Sequence, residues 1–270
     1  MVRVATKIFA LVLIAGTVPA FAARQDIDQA KVKEDGGFPY KITKSGSYKL
    51  TSNLIVPAGK DGIDVTAPDV TIDMNGFSII GPVVCSGEID TPAVCPAASS
   101  GIGIASGASD PETGSPDVKV LNGAVRGMGS HGIFLTGDGS LVEKVSARSN
   151  AGAGIIVGGM VLNSSAIGNG STGILANSVR DSEAASNTQD GIILDGRGGV
   201  AMGDVSADNG GVGIRPQNGS VMNSVITLNK GAGIQALCPS AIMNNTIVAN
   251  ASSIVTNEPS CVLENNGTRP

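Results

Sequence analysis

Acidic and basic side chains concentrate between residues 180 and 215, a density that could support chemistry on an acidic sugar. The members are Asp181, Glu183, Asp190, Asp195, Asp204 and Asp208, with Arg180, Arg197 and Arg215. Several carboxylates together can bind Ca²⁺, and a nearby basic group can abstract a proton. The alternative is a solvated acidic surface, because these carboxylates fall in several columns of the repeat described below. We therefore assign no metal ligands. Calcium is expected only if this cluster is the active site of a calcium-dependent polysaccharide lyase.

The only histidine, His131, is the other side chain that could exchange protons near neutral pH. It directly precedes Gly132 and Ile133, at a turn position that varies among equivalent segments. Those segments carry Ala153, Thr172, Asp190, Val212 or Ala232. A histidine at such a position is more often an exposed polar side chain than a catalyst. We therefore assign no catalytic residue and no cofactor from the sequence.

The first 22 residues have the features of a secretory signal peptide. Arg3 and Lys7 supply positive charge, residues 8–14 are apolar, and Ala20-Phe21-Ala22 matches a cleavage pattern ending near Ala22. An uncleaved N-terminal anchor is the alternative. Cleavage predicts a secreted or periplasmic protein without a membrane span. The net charge of −5 disfavours nucleic acid as a partner, because phosphate binding needs a basic face.

Export makes the four cysteines candidates for disulfides, which persist in oxidising compartments. Four cysteines allow three pairings. We favour Cys85–Cys95, which brackets a loop without a regular pattern, and Cys238–Cys261, whose members are about one repeat length apart. A metal site is the weaker interpretation, because no CxxC motif is present.

A frame of the form N-x-x-x-G-I recurs through the second half of the chain. Its asparagines are Asn150, Asn169, Asn187, Asn209, Asn229 and Asn250. The isoleucines of the first five copies are Ile155, Ile174, Ile192, Ile214 and Ile234. The sixth copy replaces the glycine with Ser253 and is one residue shorter. Successive glycines lie 18 to 22 residues apart, which indicates a repeat architecture.

Apolar residues around this frame alternate with polar or small ones in short runs, a pattern typical of strands broken by turns. A helical repeat would place a glycine in nearly every turn, at a cost of roughly 1 kcal/mol each. The sequence therefore predicts an all-β solenoid of about nine coils, whose like residues stack about 4.8 Å apart. The stacked asparagines would form an amide ladder. The glycine before each isoleucine is expected to supply backbone angles that other residues resist.

The chain divides into an N-terminal cap segment and one solenoid domain. Residues 23–44 are expected to cap the first coil, because an open solenoid end would recruit other strands. Residues 45–270 form the solenoid. Within it, residues 83–116 are a long insertion rich in Pro, Gly, Ser and Ala.

One outward column is unusually apolar. The position after the repeated isoleucine holds Phe134, Ile156, Leu175 and Ile193 before it changes to Arg215 and Gln235. A contiguous apolar stripe usually marks a contact surface. We expect the 83–116 insertion to fold across it, and self-association through the four apolar residues is the rival hypothesis.

Three segments carry a family resemblance: GFPYKITKSGSYKLTSNLIVP, APDVTIDMNGFSIIGP and LNGAVRGMGSHGI. With them the chain resembles exported bacterial right-handed parallel β-helix proteins of the pectate-lyase-like superfamily, in a subgroup of unassigned role. The resemblance extends over nearly all of residues 37–256. It implies a right-handed β-helix but no single activity, because one fold hosts many functions.

The resemblance brings enzyme motifs to test against this chain. Polygalacturonase-like hydrolases of the superfamily carry an N-T-D strand, a D-D pair, a G-H-G and an R-x-K. Here NTQD at residues 187–190 and SHG at residues 130–132 are only partial echoes, and there is no Asp-Asp pair. Sugar-binding aromatic platforms are scarce too, since the chain has no tryptophan.

Two classes of function follow from these observations. The favoured hypothesis is an exported, non-catalytic β-helix that presents a rigid surface to a polysaccharide or another envelope component. The alternative is a polysaccharide-active enzyme, either a calcium-dependent uronate lyase or an epimerase, whose active site the sequence does not reveal.

Overall fold

The computed structural model describes residues 24–87, 91–107, 114–196 and 198–269. The expected signal peptide lies outside these residues. The described chain winds into a parallel β-solenoid of about 11 turns, with one short helix, Gln29–Glu34. No helix in the described ranges is long and apolar enough to cross a membrane.

Three faces make up each turn, and each face is a stack of parallel strands. Face 1 contains the repeated isoleucines. Its strands are Tyr40–Ile42, Ile63–Val65, Ile104–Ser106, Ile133–Leu135, the first halves of Ile155–Leu162 and Ile174–Arg180, Ile192–Leu194, Ile214–Pro216, Ala232–Ala236 and Ser252–Thr256.

Face 2 follows face 1 in each turn and contains the first rung of the described chain. Its strands are Gln25–Ile27, Gly46–Leu50, Val70–Asp73, the first halves of Lys119–Arg126 and Leu141–Arg148, the second halves of Ile155–Leu162 and Ile174–Arg180, Val200–Met202, Ser220–Met222, Ala241–Met243 and Val262–Glu264.

Face 3 closes the turn. Its strands are Leu54–Ile55, Ser78–Ile80, the second halves of Lys119–Arg126 and Leu141–Arg148, Ser165–Ile167, Glu183–Ala185, Val205–Ala207, Val225–Thr227, Thr246–Val248 and Gly267–Arg269.

A continuous aliphatic core lies between the three faces. The repeated isoleucines of face 1 pair in register from turn to turn and are fully buried, namely Ile155, Ile174, Ile192, Ile214 and Ile234. Burial of each such side chain stabilises the fold by roughly 1.5–3 kcal/mol. The predicted row is therefore present, and it joins successive turns into one interior.

A buried amide ladder occupies the turn between faces 3 and 1, which we call the asparagine turn. Each asparagine donates both its backbone N–H and its Nδ2 to the Oδ1 of the next asparagine, at 2.9–3.1 Å. The ladder runs through Asn150, Asn169, Asn187, Asn209, Asn229 and Asn250. Nδ2 also donates to a carbonyl oxygen of the preceding turn, for example from Asn187 to Ala166 at 2.9 Å. The ladder thus satisfies backbone groups that would otherwise be buried without partners.

The glycines before the isoleucines have a different role from the one expected. Gly154 and Gly173 are not among the residues with positive φ, so the expectation of unusual backbone angles is wrong. Instead, a Cβ on Gly154 would lie 2.7 Å from Asn169 Nδ2 and 2.8 Å from the Gly173 carbonyl oxygen. Glycine is required because the next turn approaches too closely for a side chain. The left-handed conformation occurs one residue before the asparagine, at Ser149 for example.

The N-terminal segment, which was expected to be a cap, forms rungs of the solenoid. Gln25–Ile27 pairs with Gly46–Leu50 as the first rung of face 2, and Tyr40–Ile42 begins face 1. Between them, helix Gln29–Glu34 buries Val32 against the core. These early rungs and the late strands Val262–Glu264 and Gly267–Arg269 explain why about 11 turns form where about nine were expected.

Both favoured disulfides are present, Cys85–Cys95 and Cys238–Cys261. The first closes a small hairpin within the insertion, next to an antiparallel bridge between Ser86 and Val94. The described part of this hairpin packs on the asparagine turn. There the Ala93 N–H donates to the Ser186 carbonyl at 2.8 Å, and the Thr188 hydroxyl donates to the Ala93 carbonyl at 2.7 Å. The hairpin therefore covers part of the asparagine turn, which borders face 1.

Candidate binding face

Face 1 carries an outward-facing row of side chains between the asparagine turn and face 2, in which Ala105 is fully buried. In register along the axis, the row contains Lys41, Asp64, Ala105, Phe134, Ile156, Leu175, Ile193 and Arg215. Gln235 and Val255 continue it in the last turns. The four central apolar side chains are half-buried, because neighbours in the stack shield one another. Within the insertion, Ile104–Ser106 forms a rung of face 1, and the other described hydrogen bonds go to the asparagine turn and to the turn between faces 1 and 2. The fold of the insertion across the apolar residues stays a prediction.

His131 and Phe134 form the N-terminal end of the apolar part of the row. Their rings stack with centroids 5.6 Å apart and an interplanar angle of 16°. His131 Nδ1 accepts a hydrogen bond from the Ala153 backbone N–H at 3.0 Å, so its proton must reside on Nε2. Burial lowers the pKa of His131 below its usual value. The histidine is thus held neutral by a structural contact.

The same contact recurs in two other turns, at the position just before the Gly-Ile pair. Asp61 Oδ1 accepts from the Ile102 N–H at 2.6 Å, and Asp190 Oδ1 accepts from the Val212 N–H at 2.8 Å. In the sequence this position differs from copy to copy. The available signal was that three copies carry a histidine or an aspartate at this position.

Arg215 and Asp190 form the C-terminal end of the apolar row. Arg215 Nη2 lies 2.8 Å from Asp190 Oδ2, and 38% of the arginine side chain remains exposed. Arg215 Nε is enclosed and has no hydrogen-bond partner among the described residues. The ion pair fixes one edge of the Arg215 guanidinium. Other N–H groups of the guanidinium remain available to donate hydrogen bonds to a ligand.

A recess of about 250 Å³ opens beside Arg215. Its polar and apolar walls include Arg215, Gln217, Gln235, Leu237, Val255 and Asn257. Gln217 Nε2 donates to Asp195 Oδ1 at 3.3 Å, and Asn257 Oδ1 accepts from the Cys238 N–H at 2.7 Å. We call this feature the Arg215 recess. It combines amide groups suited to hydroxyl recognition with an apolar floor.

The acidic residues singled out in the sequence are dispersed over the molecule. Asp181 and Asp204 lie at the bend between faces 2 and 3, and Glu183 lies on face 3. Asp190 and Asp195 border face 1, while Asp208 precedes the ladder residue Asn209. Among the described residues, which do not include Arg197, no group of three His, Cys, Asp or Glu side chains could hold a metal ion.

Asp204 occupies a second polar ladder, at the bend between faces 2 and 3, which we call the serine bend. The ladder runs through Ser164, Ser182, Asp204, Ser224, Asn245 and Asn266. Ser164, Ser182 and Ser224 also donate their hydroxyl protons to the carbonyl two residues earlier, at 2.7–3.0 Å. An ionised carboxylate has no such proton. Asp204 Oδ2 is buried without a partner among the described residues, and burial raises the pKa of Asp204 to about 7.

The comparisons with known proteins concern the fold. No family model matches the chain, and no curated protein matches it in sequence. The A-module of the Azotobacter vinelandii mannuronan C-5 epimerase AlgE4 is a similar solved structure, with a TM-score of 0.54 and 13% identity, over 92% of this chain and 87% of that chain. A double mutant of the periplasmic alginate epimerase AlgG gives a TM-score of 0.51 and 13% identity, over 85% and 76%. This chain therefore has a right-handed parallel β-helix fold.

Proposed function

We propose that this protein is a non-catalytic binding protein for a linear polysaccharide outside the cytoplasm, with face 1 as the binding face. The apolar row and the Arg215 recess together extend over the turns from Phe134 to Gln235. At the spacing of adjacent strands this is roughly 24 Å, long enough for several sugar residues. A solenoid holds such a row straight and rigid, which lowers the entropic cost of binding an extended chain.

The Arg215 recess carries the proposal, because it supplies polar groups at the end of an apolar row. Half-buried Ile156, Leu175 and Ile193 can pack against the C–H faces of sugar rings. Gln217 and Gln235 can then donate and accept hydrogen bonds with hydroxyl groups. Small-molecule sites commonly combine apolar walls with a few convergent polar groups in this way.

The local charge favours hydroxyl groups over carboxylates as the recognised chemistry. Asp190 neutralises Arg215, and Asp195 adds a further negative charge beside Gln217. An acidic polymer would meet this surface without a net electrostatic attraction. We therefore expect the affinity to change little with ionic strength, since screening acts on interactions between charges.

The two best candidate catalytic groups already accept hydrogen bonds from the backbone, which supports a non-catalytic role. His131 Nδ1 and Asp190 Oδ1 each accept a backbone N–H from the following turn. Asp190 is additionally paired with Arg215. Both side chains therefore stabilise the fold through these contacts. The two disulfides support a location in an oxidising compartment, in agreement with the expected export.

The binding test is isothermal titration calorimetry of the mature protein against a panel of soluble polysaccharides that includes neutral glucan and mannan, alginate and pectate. We expect one polymer to bind, and a Phe134→Ala/Gln235→Ala variant to bind it at least tenfold more weakly. Arg126→Ala is the matched control, because Arg126 is exposed and lies on face 3, and this variant should bind as the wild type does. The proposal fails if no polymer binds, or if the double variant binds as tightly as the control.

An enzyme is the second candidate, because the similar structures described above include alginate epimerases. The same polymers are incubated with and without Ca²⁺, while the absorbance of unsaturated uronates is followed. Inversion at C-5 of mannuronan is followed by NMR. Either activity, abolished by Asp190→Ala or Arg215→Ala, would replace the binding proposal with a catalytic one.

A further inference from the structure

Three methionines stack in one outward column of face 2. Met202 pairs with Met222 in the next turn, and Met222 pairs with Met243 in the turn after that. All three side chains are half-buried, so each faces outward and stays partly accessible. The chain has seven methionines including the initiator, and three of them occupy successive positions of this column.

The stacking places the three methionines on successive rungs of one column. Adjacent rungs are about 4.8 Å apart, so the outer two backbones are separated by roughly 10 Å. Each Sδ stands two bonds beyond its Cβ on flexible torsions, and methionine is the most adaptable of the apolar side chains. Met202 and Met243 can therefore both lean towards Met222. Two or three sulfurs can then meet around one ion.

We propose that Met202, Met222 and Met243 form a binding site for Cu(I). Soft thioether ligands select Cu(I) over the harder divalent ions. All four cysteines of the chain are in disulfides, so no thiolate competes for the metal. In an oxidising compartment thiols are lost to disulfides, whereas thioethers do not form them. Methionine sulfur is thus the soft ligand that remains available there.

Charges at the two ends of the column place the ion towards its C-terminal end. Glu264 pairs with Met243 and is exposed, so its carboxylate can balance the charge of a bound cation. Arg180 pairs with Met202 at the other end and repels a cation. We therefore expect Met222 and Met243 to contribute more affinity than Met202. The site lies on face 2 and is independent of the polysaccharide proposal for face 1.

The test is an anaerobic titration of the mature protein with Cu(I) in competition with the chromogenic chelator bicinchoninate. The wild type is expected to withdraw one equivalent of Cu(I), and copper-edge X-ray absorption should show sulfur scatterers. Met222→Leu should weaken binding at least tenfold, because leucine keeps the apolar volume and removes the sulfur. Met160→Leu, which changes the neighbouring outward column of face 2, is the matched control and should bind as the wild type does.

Circular dichroism and the thermal midpoint verify that the leucine variants stay folded. Ag(I), a redox-stable soft ion, provides a second probe that needs no reductant. The proposal is overturned if the wild type withdraws no Cu(I) from the chelator. It is equally overturned if a folded Met202→Leu/Met222→Leu/Met243→Leu variant binds as much Cu(I) as the wild type.

Discussion

Gly154 lies directly against Asn169 of the following turn, and a Cβ on the glycine would approach the asparagine Nδ2 to 2.7 Å. The same relationship joins Gly173 to Asn187, at 2.6 Å. Because the asparagine side chain fills the space beside the glycine, the two residues of the repeat frame depend on each other across successive turns. The Asn and Gly of the repeat frame are therefore both needed for the contact between neighbouring rungs.

This contact predicts that Gly154→Ala destabilises the protein. A Cβ must displace either the amide ladder or the Gly173 carbonyl, so we expect a loss of about 1–3 kcal/mol of unfolding free energy. Gly267→Ala is the matched control, since its nearest neighbour would be 3.8 Å away. Urea denaturation monitored by circular dichroism measures both variants. Equal midpoints for the two alanine variants would show that the close approach has no energetic consequence.

The amide ladder predicts a graded response along its length. Asn187→Ala leaves the buried Asn169 N–H and the Ala166 carbonyl without their partners, at about 1–3 kcal/mol for each unsatisfied group. Asn250→Ala removes a half-buried end of the ladder, where water can replace the lost contacts, so it should cost less. Thermal midpoints of the two variants test this order. A larger loss at position 250 would contradict it.

The buried carboxyl of Asp204 predicts a stability that declines with rising pH. Its pKa is about 7 in the folded state against 3.8 in the unfolded state, so the folded protein binds more protons between these values. Unfolding free energy should therefore fall from pH 4 to pH 7, by on the order of 4 kcal/mol, and stay low above it. Asp204→Ser restores the hydroxyl proton of the serine bend. It should remove this slope and stabilise the protein at pH 8.

Urea midpoints at pH 5 and pH 8 measure the effect in both proteins. Asp138→Ser, at an exposed acidic position, controls for the loss of one negative charge. A wild-type midpoint that does not fall between pH 5 and pH 8 relative to Asp204→Ser would contradict the assignment.

His131 predicts a pH effect of opposite sign. Burial lowers its pKa below 6.5, so between the lowered value and 6.5 the unfolded state binds more protons and stability rises with pH. Protonation of Nδ1 would also remove the acceptor of the Ala153 N–H. In an Asp204→Ser background, the remaining increase in midpoint from pH 5 to pH 7 should disappear in His131→Gln. Its persistence would assign the slope to another group.

Much of the fold could be predicted from the sequence, because each turn repeats one local pattern. The N-x-x-x-G-I frame predicted the buried isoleucine row and the amide ladder, and the cysteine spacing predicted both disulfides. Gln25–Ile27 was assigned to a cap, because the first rung has no repeat frame to reveal it. The expected reason for the glycine of the frame was wrong, because a Cβ there would clash with a residue about 15 positions away in the sequence, which the local pattern does not reveal.

The candidate sites depended on tertiary structure. From the sequence, Arg215 and Asp190 were two members of a loose charged cluster, and only the stacking of turns brings them to 2.8 Å. The methionines of face 2 are about 20 residues apart and escaped notice in the sequence.

The sequence by itself determined that the chain forms stacked turns with an aliphatic interior, because one short pattern specifies the strands and bends of every rung. The tertiary structure decided which outward residues are neighbours and where the insertion lies. From Ile133 onward, adjacent rungs differ in length by up to four residues, so the alignment of outward columns follows from the register of hydrogen bonds between turns.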